Sequence, residues 1–196
     1  GSMTASPITL RPLSGHLGAE IEGVDLAQPL DEQLFQQIHQ AFLDHAVIVF
    51  REQTLSHQNQ IDFGRRFGEL DVHPIAIGMQ EHPEIIKVLK PAGERASVGT
   101  SWHSDNSFFE RPSKASLLYG VVVPPYGGDT LWASMERAYD ALSPNMKRYL
   151  EGVTALHDGA GAFAKTATNQ LPVTEQPVIA QHPVTGRQLL FINPVF

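Results

Sequence analysis

The stretch Thr100-Ser-Trp-His-Ser-Asp-Asn-Ser-Phe108 holds the pattern that decides both the fold and the chemistry of this chain. In an extended strand, residues two positions apart point to the same side, so His103 and Asp105 are predicted to project together from one face. One imidazole and one carboxylate would then converge on a single point. A third ligand from a distant strand would complete the 2-His-1-carboxylate set, which holds Fe(II) and leaves positions open for a co-substrate and dioxygen.

A His-x-Asp pair alone does not establish a metal site, because such pairs also occur as surface or capping residues. The cysteine count limits which kinds of site the chain can form, since the 196 residues contain no cysteine. This excludes a disulfide scaffold, a Cys-ligated zinc site, an iron–sulfur cluster and a cysteine nucleophile. Any metal must therefore be held by His, Asp or Glu.

Composition predicts a single folded domain and argues against a nucleic-acid partner. The chain is 42% hydrophobic and 18% charged, and its length fits one domain of the usual size of about 100–150 residues. Its formal charge of -7 lacks the basic field that binds phosphate backbones, so nucleic acid is not an expected partner. Apolar runs such as 46–50 are far shorter than the roughly 20 residues of a membrane helix.

We therefore expect a soluble, cytoplasmic protein without a membrane partner, and a homo-oligomer stays open. Residues 1–3 resemble the remnant of a cleaved tag, which places the domain at 4–196.

Three helices are indicated by capping residues and helical spacing of apolar residues. The first begins after Asp31 as N-cap. The second runs over 56–67, with Ser56 as N-cap and Gly68 as the stop. A short third helix opens at Ser143-Pro144, because proline is favoured at the first helical position.

Strands are expected to make up most of the remaining structure. The continuous, β-branched run 46–50 predicts a buried central strand. Further strands are predicted at 85–89, 115–123, 130–133, 153–157 and 188–193. Residues 164–177 lack apolar periodicity and are predicted to form a long mobile loop. The fold class is therefore mainly β with flanking helices.

Several motifs occur in order along nearly the whole chain. They are LSGHLGAEIEGVDL (13–26), FGEL (67–70), VHP (72–74), WHSD (102–105) with Phe108, PPYGGDTLW (124–132), HPVTGR (182–187) and LLFIN (189–193). Together they resemble the TauD/TfdA family of Fe(II)- and 2-oxoglutarate-dependent dioxygenases. The resemblance implies a double-stranded β-helix, a cupin-like jelly roll with helices packed outside. It also implies an iron-dependent oxidoreductase that uses dioxygen and forms succinate and carbon dioxide.

The same resemblance implies roles for five residues. His103 and Asp105 match the first two iron ligands. Thr130 matches the residue whose hydroxyl helps to hold a carboxylate of 2-oxoglutarate. His73 matches a histidine of the substrate pocket, and Phe163 falls where taurine-cleaving members have a pocket aromatic. For Phe163 the alternative is plain core packing.

Two departures from the taurine-cleaving members concern the substrate pocket. Ala76 stands where those members have a tyrosine, and Gly99 stands where they have an asparagine. Two polar contacts to a sulfonate are therefore missing. We expect a small anionic substrate that is larger or less polar than taurine, namely another sulfonate, a sulfate ester or an aryloxy-alkanoate.

A third departure concerns the end of the chain. The resemblance places the third iron ligand, a histidine, and the arginine that pairs with 2-oxoglutarate beyond Phe196. We therefore expect the last jelly-roll strands to be absent here and the 196 residues alone to lack turnover. His157 and His182 match a core strand and a turn instead. A non-catalytic fragment or pseudoenzyme and a cupin-like metal-binding module stay open as alternatives.

Overall fold

A computed structural model describes residues 7–96, 99–163 and 171–196. The predicted tag remnant at 1–3 and residues 164–170 of the predicted loop lie outside them. The chain divides into two compact units, the first formed by 1–72 with 117–134 and the second by 73–116 with 135–196. In the described residues, the first unit has a three-stranded sheet and the second has two two-stranded sheets.

The first unit combines its sheet with two helices. In chain order its elements are β1 (Thr9–Pro12), β2 (Ala19–Glu22), α1 (Glu32–His45), β3 (Ile48–Val49) and α2 (His57–Phe67). Strand β2 lies between the other two, antiparallel to β1 and parallel to β3. Apolar side chains of β2, α1 and α2 share one core, in which Ile38 is completely buried. This burial is the main favourable contribution to the stability of the unit.

The two helix starts predicted in this unit are confirmed. The Asp31 carboxylate accepts a hydrogen bond from the Leu34 N–H at 2.7 Å. Ser56 and Asn59 form a capping box, in which each side chain accepts from the other residue's backbone N–H. Both arrangements satisfy N–H groups that have no partner inside the helix.

The buried central strand predicted at 46–50 is wrong. Only Ile48 and Val49 pair, they lie at one end of the described three-stranded sheet, and they are half-buried. Ala46 instead caps α1 with a φ of 63°, and its N–H bonds to the Phe42 carbonyl at 2.8 Å. The first residue of the apolar run 46–50 therefore ends helix α1 and is not part of a strand.

The strands predicted at 115–123 and 130–133 are also wrong, since these residues form no regular ladder. Val121, Val122 and Val123 are 81%, 92% and 72% exposed. A β-branched run favours extended backbone, but a strand also needs a partner to bond with. Among the described residues these valines have no such partner.

The second unit has seven elements among the described residues. They are α3 (Met135–Asp140), α4 (Pro144–Leu150), β4 (Thr154–Asp158), α5 (Ala160–Phe163), β5 (Val173–Pro177), β6 (Ile179–Gln181) and β7 (Gln188–Leu190). Strand β4 pairs antiparallel with β5, and β6 pairs antiparallel with β7. Helix α3 packs against β7. The predicted start of α4 is confirmed, because Ser143 Oγ accepts from the Met146 N–H at 3.1 Å.

In the second unit two strand predictions hold, one strand prediction is wrong, and one loop prediction is wrong in part. The strand at 153–157 is confirmed as β4, and the one at 188–193 is confirmed in its first part as β7. The strand at 85–89 is wrong, because no ladder forms there. The mobile loop predicted at 164–177 is wrong for its last five residues, which are β5. Strand β5 pairs with β4 along its whole length, and that partner outweighs its weak apolar pattern.

Small sheets with accompanying helices agree with the predicted fold class, while the complete jelly roll stays a prediction. None of the helices in the described ranges is both long and apolar enough to cross a membrane.

Candidate active site

The stretch that carries His103 and Asp105 is a turn, so the strand alternation predicted for it is wrong. Asn106 has a φ of 54°, in the left-handed region that asparagine tolerates better than most residues. The Phe109 N–H then bonds to the Asn106 carbonyl at 3.1 Å. This turn nevertheless brings His103 Nε2 to 3.0 Å from Asp105 Oδ1. We call residues 103–108 the ligand turn.

Hydrogen bonds determine which atoms of His103 and Asp105 face each other. His103 Nδ1 lies 2.8 Å from the Ser101 carbonyl oxygen, which can only accept, so Nδ1 carries the proton. In a neutral ring Nε2 then presents its lone pair to the Asp105 carboxylate. Two acceptors at 3.0 Å repel each other unless a proton or a metal ion lies with them. The Ser116 hydroxyl donates to the other carboxylate oxygen at 3.2 Å and fixes its orientation.

The spacing of these two acceptors fits a metal ion. Adjacent ligand atoms of an octahedral ion, each at about 2.1 Å and at a right angle, lie about 3 Å apart. The observed separation is 3.0 Å, and the two side chains are 29% and 57% exposed, which leaves access for further ligands. In the part of the chain that the structure describes, no group of three or more His, Asp or Glu gathers. Among those residues, His103 and Asp105 are therefore a pair of possible ligands without a third beside them.

His73 belongs to the same unit and presents a donor. Its Nδ1 accepts from the N–H groups of Ile75 at 3.1 Å and Ala76 at 2.9 Å. In the neutral ring the proton is therefore on Nε2, which can donate to an anionic group. The His73 ring lies 5.6 Å from the Phe163 ring in an edge-to-face contact. The structure thus brings two of the predicted pocket residues together.

Phe196 links this pair to the ligand turn, and the sequence reading missed it. Its ring stacks on Phe163 at 6.2 Å and lies 6.5 Å from the His103 ring. An aromatic chain therefore runs from His73 through Phe163 and Phe196 to His103. The local sequence does not mark Phe196, because the rings that it contacts are distant in the chain. Asn193 Oδ1 accepts from the Phe196 N–H at 3.0 Å.

Two further residues considered from the sequence are Thr130 and His182. Thr130 is an exposed residue of the first unit, and its role in 2-oxoglutarate binding stays a prediction. His182 Nδ1 accepts from the N–H groups of Val184 and Thr185, so it stabilises a turn, as its motif indicates.

His157 lies in β4 and is 1% exposed. Its Nδ1 lies 2.8 Å from Ser107 Oγ, and its ring stacks on Phe191 at 5.3 Å. Burial lowers the pKa of His157 below the ordinary value of 6.5, and the backbone of Phe191 opposes this shift more weakly. The fold therefore favours the neutral ring.

The free energy of unfolding is expected to fall as the pH drops below 6.5, partly because of His157. The unfolded chain takes up this proton at a higher pH than the fold does. The stabilisation from the neutral ring is therefore complete above 6.5 and is lost as the pH falls through the folded pKa. Urea unfolding at about pH 7.5 and about pH 5.5 measures the difference. The drop should be smaller in His157→Phe and unchanged in His16→Asn, an exposed control; equal drops in all three proteins would contradict the assignment.

A known protein family matches nearly the whole chain. The model of the Taurine catabolism dioxygenase TauD, TfdA family matches residues 9–196. The chain belongs to this family. The predicted family membership is thereby confirmed, while the individual ligand roles stay predictions.

Several TauD/TfdA-family relatives resemble the chain over most of its length. It is 34% identical over 205 residues to an alkylsulfatase of Acinetobacter baylyi, a match that covers 96% of this chain and 64% of that protein. It is 31% identical to the alpha-ketoglutarate-dependent 2,4-dichlorophenoxyacetate dioxygenase of Cupriavidus pinatubonensis, covering 95% and 73%. A crystal structure of a taurine dioxygenase from Burkholderia xenovorans matches with a TM-score of 0.81 and 36% identity, covering 96% and 64%.

The chain therefore spans 64% of the length of two of these TauD/TfdA-family proteins.

Proposed function

We propose that this chain provides the His103–Asp105 part of an Fe(II)- and 2-oxoglutarate-dependent dioxygenase. The reaction would hydroxylate a small anionic organic substrate with dioxygen and release succinate and carbon dioxide. One observation carries the proposal, namely two acceptor atoms 3.0 Å apart beside a His103 ring whose other nitrogen is bonded to a backbone carbonyl. We propose further that the complete fold is a double-stranded β-helix, as the similarity to the taurine dioxygenase structure supports.

His103, Asp105 and Thr130 would each have a separate role in this reaction. His103 and Asp105 would hold the metal, with the Ser101 carbonyl and the Ser116 hydroxyl keeping both side chains in orientation. When bound, Fe(II) with 2-oxoglutarate would activate dioxygen, which supplies the oxidising power needed to attack a C–H bond. Thr130 would bind a carboxylate of 2-oxoglutarate through its hydroxyl.

The aromatic chain would form one wall of the substrate pocket. His73 Nε2 would donate a hydrogen bond to the anionic group of the substrate, because its Nδ1 is occupied by backbone N–H groups. Phe163 and Phe196 would cover the apolar part of the substrate and exclude water.

Small residues beside the two histidines support a bulkier substrate than taurine. The Ala76 N–H lies 2.9 Å from His73 Nδ1. A Cβ at Gly99 would lie 3.4 Å from His103 Cε1. A tyrosine at position 76 or an asparagine at position 99 would extend into the space beside these histidines. We therefore propose sulfate esters, bulkier sulfonates and aryloxy-alkanoates as substrates, in line with the alkylsulfatase and the 2,4-dichlorophenoxyacetate dioxygenase among the relatives.

Turnover should be at least about tenfold faster with an alkyl sulfate or an aryloxyacetate than with taurine. The complete protein is supplied with Fe(II), ascorbate and 2-oxoglutarate, and succinate is measured by NMR with each substrate. Equal or faster turnover of taurine would contradict the substrate class. Metal binding without succinate from any substrate would favour the metal-binding module, and the absence of metal binding would favour the non-catalytic fragment.

The variant Gly99→Asn should slow the bulkier substrates relative to taurine. Asparagine tolerates the left-handed φ of 71° at this position and adds an amide beside His103. Gly152→Asn is the matched control, because Gly152 has a φ of 74° and nothing within 4 Å of an added Cβ. An unchanged substrate ratio in Gly99→Asn would show that this position does not border the pocket.

A further inference from the structure

A polar cluster with three buried members meets the ligand turn at Ser107. Its members, named here the anchor cluster, are Ser107, His157, Thr174, Gln176 and Asn193. Ser107 follows Asp105 by two residues and is completely buried. Its hydroxyl lies 2.8 Å from His157 Nδ1 and accepts from Asn193 Nδ2 at 3.2 Å. The hydroxyl can donate to the neutral ring while it accepts from the amide, so both of its functions are used.

Strand β5 holds the backbone of the same turn. Thr174 and Gln176 are two positions apart and point to one side of the strand. The Thr174 hydroxyl donates to the Phe108 carbonyl at 2.6 Å. The Gln176 amide donates to the carbonyls of Ser107 at 3.2 Å and Phe109 at 2.9 Å. Three successive carbonyls that join no strand ladder are thus bonded by side chains of a paired strand.

Asn193 extends the anchor cluster to the aromatic chain. Its Nδ2 donates to Ser107 Oγ, while its Oδ1 accepts from the N–H groups of Val195 and Phe196. The Phe196 ring, near His103, therefore depends on the same serine as the ligand turn.

His157 is the member whose chemistry is hardest to explain by packing alone. An apolar ring would stack on Phe191 equally well, and His157 Nε2 is buried without a well-formed hydrogen bond to any described residue. Besides the interaction with the Phe191 backbone, the contact of Nδ1 with Ser107 is the one that needs a histidine. We propose that the anchor cluster positions His103 and Asp105 for metal binding and that His157 is its central positioning residue. This inference rests on the proposed function.

Metal affinity tests this inference without any turnover. His157→Phe keeps the ring and removes the Nδ1 contact, whereas His157→Asn places an amide where Nδ1 lies. Val178→Ala is the matched control, since Val178 is 4% exposed, lies in the same unit and is outside the anchor cluster. Mn(II) binding to the complete protein is measured by titration, together with the Tm of each variant.

His157→Phe should weaken Mn(II) binding about ten- to hundredfold, the usual effect of removing an outer-shell contact of a metal site. His157→Asn should recover most of this loss. Val178→Ala should lower the Tm and leave the affinity within about twofold of the parent protein. Parent-like affinity in His157→Phe would overturn the inference, as would an equal loss of affinity in Val178→Ala at the same Tm.

A failure of the proposed metal site gives a different result, because the parent protein itself would then not bind Mn(II). Hydrogen exchange of the amides at 105–109 reports on the anchor cluster separately. Exchange there should become faster in His157→Phe and stay parent-like in His157→Asn. Unchanged exchange in both variants would overturn the positioning role whatever the metal result.

Discussion

His103→Ala and Asp105→Ala are each expected to abolish Fe(II) binding and turnover of the complete protein. Each substitution removes one of the two acceptors that lie 3.0 Å apart. The loss of metal affinity should exceed the roughly 100-fold that outer-shell substitutions reach, because a direct ligand is removed. Metal binding is measured by titration under oxygen-free conditions, and turnover by succinate formation.

Two comparison variants separate ligand loss from damage to the fold. Asp105→Asn keeps the shape of the side chain and removes its charge, so it should also bind metal weakly. His16→Ala removes an exposed histidine of the first unit and should bind metal as the parent protein does. Full activity in either His103→Ala or Asp105→Ala would disprove the ligand assignment.

Phe108→Ala is expected to lower the free energy of unfolding by about 3–5 kcal/mol, the usual cost of emptying a buried phenylalanine site. Phe108 is completely buried, and its ring lies 5.0 Å from that of Phe196 and 6.0 Å from that of Phe163. A Cβ at Gly159 would lie 2.8 Å from Phe108 Cδ2, so backbone also packs on this ring. The neighbouring rings and backbone therefore have little freedom to move into the space that the removed ring leaves. Urea unfolding at neutral pH provides the measurement.

Phe109→Ala is the matched control, since Phe109 is the half-buried neighbour of Phe108. It should cost about 1 kcal/mol, a typical value for a single substitution. Similar costs for the two variants would mean that Phe108 does not hold the aromatic chain together.

Three of the five helices in the described residues could be predicted, because their capping signals are local, whereas α3 and α5 were not predicted. Asp31, Ser56 and Ser143 each cap a helix with their own side chain within three residues. Strands depend on partners distant in sequence, and here prediction failed in both directions. The apolar valines at 121–123 form no strand, whereas the polar β5 pairs fully with β4. The single domain, the cytoplasmic location and the oligomeric state stay predictions.

The site shows the same division between local and distant information. The proximity of His103 and Asp105 could be predicted, but its cause could not, since the left-handed Asn106 replaces strand alternation. The ring contact of His73 with Phe163 agrees with the family resemblance. Phe196 and the anchor cluster had no sequence signal, because each hydrogen bond from Ser107 to a side chain of the cluster spans at least 50 residues.

The hold of β5 on the ligand turn uses main-chain oxygen atoms, which every amino acid carries. Thr174 and Gln176 bond to the carbonyls of residues 107–109 and not to side chains. The hydrogen bond to the carbonyl of residue 109 therefore does not depend on the residue type at that position. Position 109 can therefore be varied while Gln176 still binds its carbonyl, whereas positions 174 and 176 must keep their donors.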